Sequence, residues 1–238
     1  MKALDLFCGL KGWSTPFLER GHDVRTLDLD PRFSPTYVAD ILSWDESELR
    51  GWRPDIILAS PPCEGFSVMN IGKNWNHDHT PKSLRASLAL HILRRTVQII
   101  DALAPAFFII ENPRAKMRRM ALLDRFERRT VTYCHYGEQR MKPTDLFGGF
   151  PPPLVLAWPC KNGDLCHVRA PRGSRTGTQG MERILSAKIP YALALDVCRA
   201  AETALELDEE RVRLLAAANA AAPQLPSGTH ESHGSLVI

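Results

Sequence analysis

Cys63 stands in the run Ser60-Pro61-Pro62-Cys63-Glu64-Gly65-Phe66-Ser67, directly after the apolar stretch Ile56-Ile57-Leu58. A thiol stiffened by prolines just past a buried strand sits at the ligand edge of a sheet, where a lowered pKa makes it a nucleophile. The plainer reading is a buried structural cysteine. A second apolar run ends in Glu111-Asn112-Pro113-Arg114. Its carboxyl would share a crevice with Cys63, because neighbouring strand ends converge. A third group is Asp5-Leu6-Phe7-Cys8-Gly9-Leu10-Lys11-Gly12-Trp13, where a strand meets glycines and then a helix. Glycine lets backbone approach a ligand closely, and this is where an α/β sheet holds nucleotide-like groups. The spacing is G-x-x-G, so the dinucleotide fingerprint G-x-G-x-x-G is absent. Asp28-Leu29-Asp30 and Asp40-Ile41 end two further strands. The first acid suits ribose hydroxyls, and the second pair suits an adenine amino group and ring. Each acid alone also reads as a turn or a cap, but three in order favour a cofactor pocket.

These groups need a scaffold that brings strand ends to one edge. Residues 2–7, 24–29, 37–39, 55–59 and 107–110 read as strands. Residues 12–20 and 83–103 read as helices, the second stopped by Pro105. That rhythm predicts an α/β fold with a mostly parallel sheet and helices on both faces. Residues 129–133 are a sixth possible strand, 148–180 read as a basic Gly/Pro-rich loop, and 187–205 as a closing helix entered through Pro190. Residues 1–205 are expected to form one catalytic domain, and 206–238 a mobile tail.

Asp-Leu-Phe-Cys-Gly, Pro-Pro-Cys-Glu-Gly-Phe-Ser and Glu-Asn-Pro, in this order and spacing, resemble the motifs of the cytosine-C5 DNA methyltransferases over residues 1–150, and more thinly over 182–200. The resemblance implies a Rossmann-like S-adenosylmethionine-dependent methyltransferase fold. It implies Cys63 as the nucleophile that adds to C6 of cytosine, and Glu111 as an acid, kept protonated by burial, that donates to N3. The target base leaves its stack to reach them. For S-adenosylmethionine it implies a pocket from Asp5, Phe7, Cys8, Gly9, Leu10 and Gly12, with Asp28 at the ribose, Leu29 on the adenine face, and Asp40 and Ile41 at the adenine edge. Pro62 would line the pocket beside the base.

Four departures carry information. Lys11 replaces a glycine usual in the family, and its bland reading is a side chain in solvent. The acid motif continues Pro113-Arg114, where Arg114 could reach the base or a phosphate. The family's Gln-x-Arg-x-Arg strand reads Gln139-Arg140-Met141-Lys142-Pro143-Thr144, so the last arginine falls on Thr144. Arg140, Lys142 or Arg114 would supply that cation. The segment that reads DNA sequence is reduced to about 30 residues, too few for a separate domain, so short or relaxed target specificity is expected. Ser186-Ala187-Lys188-Ile189-Pro190 matches the closing motif weakly and would set Lys188 near the methionine end of the cofactor. A minority alternative follows, in which Lys188 reads a carboxylated donor and a carboxymethyl group is transferred.

The formal net charge is +3, yet residues 112–175 alone carry +8 and the remainder −5. A basic middle suggests a polyanion surface, with a solvated helix face as the plainer reading. Lys116, Arg118, Arg119, Arg140, Lys142, Arg169, Arg172 and Arg175 are its candidates. The expected partner is DNA, with RNA as the alternative substrate and a catalytically silent DNA-binding homologue as the rival class. A monomer is expected. No apolar run has the length of a membrane span, and six cysteines without a regular framework fit a cytoplasmic, reducing setting. Cys134, His135, Cys160, Cys166 and His167 have zinc-ligand chemistry, but not the spacing of a standard knuckle. They are expected to be unpaired side chains on a basic loop, with no metal.

Overall fold

A computed structural model of the chain describes residues 1–68, 71–161, 163–168 and 183–221. Its elements in chain order are β1 (Lys2–Leu6), α1 (Ser14–Glu19), β2 (Asp23–Asp28), β3 (Tyr37–Val38), β4 (Ile56–Ala59), α2 (Ile71–Asn74), α3 (Leu84–Leu103), β5 (Phe107–Pro113), β6 (Glu127–Thr132), β7 (Pro143–Gly149), α4 (Arg183–Ala187) and α5 (Tyr191–Ala221). The strands form one sheet in the order β3-β2-β1-β4-β5-β7-β6. The first five pair in parallel, and β7 runs antiparallel to both β5 and β6.

Side-chain alternation along the strands builds a core on each face of this sheet. Leu4, Leu6, Ile57, Ala59 and Ile110 point to the face that α3 covers with Ala86, Leu93 and Val97. Ala3, Ile56, Leu58 and Ile109 point to the other, covered by Phe17 of α1 and by Leu193, Val197 and Cys198 of α5. This is the expected Rossmann-like architecture. Helix α3 starts where Ser83 caps it by accepting from the Ala86 N–H at 3.2 Å, and it stops at Ala104 in the left-handed region, next to Pro105.

Three features differ from the sequence reading. β5 continues past residue 110 to Pro113, because β7 pairs with it from Phe108 to Pro113. β7 itself lies partly in residues expected as loop, and it forms there because a buried hairpin with β6 satisfies its backbone. The closing helix begins after Pro190, and helix continues to Ala221, where a tail was expected from residue 206. The Glu-Glu-Arg-Val-Arg-Leu-Leu-Ala run that carries it is made largely of strong helix formers. The chain divides into two units, residues 1–204 and 205–238. Within the second, Arg213 pairs with Glu209 at 3.7 Å.

Candidate active site

In an open α/β sheet the ligand crevice lies outside the carboxyl ends of the strands, where strand order reverses. Here that point falls between β1 and β4, with chain continuing to β2 and β3 on one side and to β5 on the other. The glycine loop leaves β1, and the Pro-Pro-Cys loop leaves β4.

The glycine loop is tightly wound. Phe7, Gly9 and Lys11 have φ of 65°, 45° and 56°. The N–H groups of Phe7 and Cys8 both donate to the Leu27 carbonyl, at 2.8 and 3.1 Å. Asp28, at the end of β2, accepts from the Gly9 N–H through one oxygen and from the Asp30 N–H through the other, each at 2.9 Å. Lys11 is not adrift in solvent: its Nζ donates to the Ser34 carbonyl at 2.8 Å and ties this loop to the one after β2. Gly12 is a packing position. A Cβ there would lie 2.7 Å from the Ile189 nitrogen, so only glycine lets the loop touch the Lys188–Ile189 segment.

Asp5 lies beneath the loop, 1% exposed. One of its oxygens accepts from Ser14. The other is buried without a partner among the described residues. Burial pushes the Asp5 carboxyl up to about 7, the Ser14 hydrogen bonds opposing the rise. Cys8 is pushed up to about 12, chiefly by burial, which makes it a poor nucleophile. Around the strand ends large apolar side chains face outward: Leu10, Val38 and Leu42 are exposed, and Leu29 is 68% exposed. Ile41 is buried and Asp40 exposed, its carboxylate accepting from the Leu42 N–H at 3.0 Å.

Cys63 is exposed, in the turn closed by the Phe66 N–H on its carbonyl at 3.0 Å. Pro62 beside it is exposed too. The turn is held from both ends. Ser60 Oγ accepts from Trp13 Nε1 at 3.0 Å. The Gly65 carbonyl accepts from Trp75 Nε1 at 2.8 Å, and Phe66 stacks on Trp75 with centroids 5.5 Å apart. Gly65 is forced by contact, because a Cβ would lie 2.4 Å from that of Ala89 on α3.

Glu111 is 4% exposed, one residue beyond the point where Ile110 pairs with Ala59 of the cysteine's own strand. The buried Asn112 amide donates to the Pro61 carbonyl at 2.9 Å. That bond fastens the cysteine loop to the acid strand. Tyr133, fully buried, donates to Glu111 Oε1 at 2.8 Å. Burial and the adjoining Glu111 raise the phenol well above its ordinary range, so Tyr133 acts as a neutral donor. Lys142 Nζ lies 3.9 Å from the same oxygen and 4.4 Å over the Tyr133 ring. Thr144 is buried, its hydroxyl donating to the Lys142 carbonyl at 3.2 Å. Of the three cations considered for its place, Lys142 is the one that reaches Glu111. Lys188 is exposed and shares a small cavity with Tyr133, Glu138, Arg140 and Lys142.

The basic candidates divide. Arg114 and Arg119 are exposed, and Arg140 is half-buried. Lys116, expected on a polyanion surface, is 6% exposed, with Nζ 2.8 Å from His79 Nδ1 and 5.5 Å over the Trp75 ring. Burial, with Arg119 adding, lowers its pKa. Arg118 is likewise spent inside, on both oxygens of buried Asp145 at 2.6 and 2.9 Å. Arg169, Arg172 and Arg175 lie outside the described residues. Cys134, Cys160, Cys166 and His167 do not lie apart: their ligand atoms all fall within 4.8 Å of one another. Tyr133 and Asn112 were missed as site residues, since contacts between distant strands leave no spacing signal in the chain.

The family model for C-5 cytosine-specific DNA methylase matches residues 1–119. A Frog virus 3 protein named "Probable DNA (cytosine-5)-methyltransferase" is 31% identical over 218 residues, 83% of this chain and all of that one. The type II methyltransferase M.HgiGI of Herpetosiphon aurantiacus is 30% identical over half of this chain and 97% of its own length. M1.HphI of Haemophilus parahaemolyticus is 27% identical over 46% of this chain but only 31% of its own. With the cysteine and acid motifs inside the matched residues and at one sheet edge, the chain belongs to the C-5 cytosine-specific DNA methylase family.

Proposed function

We propose that this protein transfers a methyl group from S-adenosylmethionine to C5 of cytosine in DNA, through a covalent adduct between Cys63 and C6 of the base. The observation that carries the reading is the Asn112–Pro61 hydrogen bond. It joins an exposed thiol to the strand of a buried carboxyl whose orientation Tyr133 fixes.

The loops at the ends of β1 and β2 suit the cofactor. Asp28 presents an anchored carboxylate for ribose hydroxyls. Leu10 and Leu29 offer the kind of exposed apolar surface that an adenine ring would cover. The unpartnered oxygen of Asp5 lies under the loop that would hold the methionine end. When bound, S-adenosylmethionine supplies the electrophilic methyl that an activated C5 takes up.

Carbon 5 of cytosine is a poor nucleophile, and the protein's task is to change that. Cys63, as thiolate, adds to C6. Glu111 gives its proton to N3 as electron density moves there, so the ring becomes an enamine with a nucleophilic C5. Tyr133 holds the acid's other face, and Lys142 counters the charge left on Glu111. Loss of the C5 proton expels Cys63 and restores the ring. A base in a duplex must be flipped out to reach an edge built this way. With a reduced recognition segment, base-edge readout is sparse, and phosphate contacts dominate binding.

Covalent trapping on DNA containing 5-fluorocytosine tests this directly. Wild type should form a denaturation-resistant adduct when the cofactor is added, and Cys63→Ala none. An adduct that survives Cys63→Ala, or none with wild type where a control enzyme is trapped, overturns the reading. RNA of the same sequence, run in parallel, tells the two polymers apart. Mass spectrometry of the product nucleoside should give 5-methylcytosine, and 5-carboxymethylcytosine would redirect the donor to a carboxylated one.

A further inference from the structure

We propose that Cys134, Cys160, Cys166 and His167 bind one zinc ion in a closed structural site, which pins the start of the basic segment beside the catalytic acid. Sγ of Cys134 lies 3.2 Å from that of Cys160 and 3.7 Å from that of Cys166. His167 Nδ1 lies 3.6 Å from the Cys160 sulfur and 3.4 Å from the Cys166 sulfur. A zinc ion with Zn–S of about 2.3 Å and Zn–N of about 2.0 Å has tetrahedral edges of about 3.8 Å between sulfurs and about 3.5 Å from sulfur to nitrogen. These four separations lie within about 0.6 Å of those edges, and all four ligand atoms fall within 4.8 Å of one another. A disulfide needs sulfurs about 2.05 Å apart. It would also use two of the thiols and leave the third, and the imidazole, without a purpose.

The ligands come from three separate stretches, each held by its own bonds. Cys134 sits in the 3-10 turn Tyr133–Tyr136 that follows β6. The Cys160 N–H donates to Thr132 Oγ1 at 2.9 Å, and the Ala157 N–H to the Tyr136 hydroxyl at 2.9 Å. A tight turn, Lys161 N–H to Asp164 Oδ2 at 2.7 Å, reverses the chain toward Cys166 and His167. The Val168 N–H then donates to the Gln139 carbonyl at 2.7 Å. His167 Nε2 is buried without a partner among the described residues. A proton on Nε2 leaves the Nδ1 lone pair aimed at the cluster.

Three thiols and one imidazole in tetrahedral array are a donor set that suits zinc. On binding, the thiols release three protons to solvent, and the imidazole enters neutral. Four protein ligands leave no open position, so the metal is structural. Its place gives it a role. Cys134 adjoins Tyr133, the donor to Glu111, and His167 stands two residues before Arg169, the first of the three arginines at 169, 172 and 175. The ion would replace, with four side chains, the anchoring that a full recognition domain would provide.

Elemental analysis of the full-length protein, purified without chelator, should find one zinc per chain. Cys160→Ser, Cys166→Ser and His167→Ala should each lose it, while Cys63→Ala keeps it and stays inactive, so this test stands apart from the methyl-transfer reading. Cobalt(II) added to metal-free wild type should give the intense visible bands of a tetrahedral thiolate site. That measurement needs no variant to fold. Zinc content unchanged in the three variants overturns the proposal. So does a folded, metal-free wild type that gives no such cobalt spectrum, or whose intact mass shows two of these cysteines joined by a disulfide.

Discussion

Glu111 is oriented by two side chains from the far side of a hairpin, Tyr133 and Lys142. Tyr133→Phe removes one donor from a buried carboxyl group and fills the same volume. The loss of such a bond is worth about 1.5–3 kcal/mol, or about ten- to a hundredfold in kcat. Steady-state assays should show that fall with KM for DNA little changed, and an unaltered kcat would remove Tyr133 from the acid's machinery. Asp5 gives a pH signature. Its carboxyl titrates near 7 in the folded chain against 3.8 unexposed to that burial. The folded state therefore holds the proton more tightly. Stability from this group is full below pH 3.8 and is lost as pH rises through about 7, by on the order of 4 kcal/mol. Asp5→Asn should flatten that decline in denaturant titrations run between pH 4 and 8, and an unchanged slope would assign it to other groups. Cys63 and Glu111 were legible because each closely follows a short apolar run, 56–59 and 107–110. Lys142 was one of three named cations, and only the fold could choose among them.

At the level of elements, the cysteine loop rests on α3 through one missing methyl group. Gly65→Ala sets a Cβ against that of Ala89, an overpacking that costs about 1–3 kcal/mol. Thermal unfolding should show the loss, and activity should fall with it as Cys63 shifts. Ala89→Gly in the same chain should restore much of both. Failure of the pair to compensate would mean that the Arg85 carbonyl, 3.0 Å away, is the real obstacle. The parallel strands were legible from their Val/Ile/Leu runs between turn residues. β7 was not, since Pro143 at its start and Gly148-Gly149 at its end are loop signals in sequence. Its pairing is decided by burial between β5 and β6. The long reach of α5 is hidden for the opposite reason: its last residues run into the Ala/Pro/Ser/Gly-rich stretch that reads as tail, although alanine has the highest helix propensity.

For the whole molecule, charge and size set how it meets nucleic acid. Arg114, Arg119 and Arg140 remain available after Lys116 and Arg118 are spent on internal partners. Three phosphate contacts give a slope of about −3 in log affinity against log salt, and each further contact from Arg169, Arg172 or Arg175 adds about −0.9. Binding titrations on duplexes of different sequence should share that slope and differ little in affinity. A slope near zero, or strong preference for one long site, would argue against phosphate-led binding. The local excess of +8 was readable as a polyanion surface, but a count of charges could not tell an arginine facing solvent from one closing on Asp145.

The reversal of β7 decides where added chain can enter this fold. Parallel strands only send chain outward from the substrate side, whereas a reversed one also receives it there, through residues 137–142. After β7 the polypeptide climbs back along β6, with Arg129 on the Leu154 carbonyl and Thr132 on Cys160, and re-emerges at the same rim. Two surface connections thus meet at the rim where β6 ends and β7 begins. An insertion at either would join the fold beyond the ends of β6 and β7 rather than within the sheet.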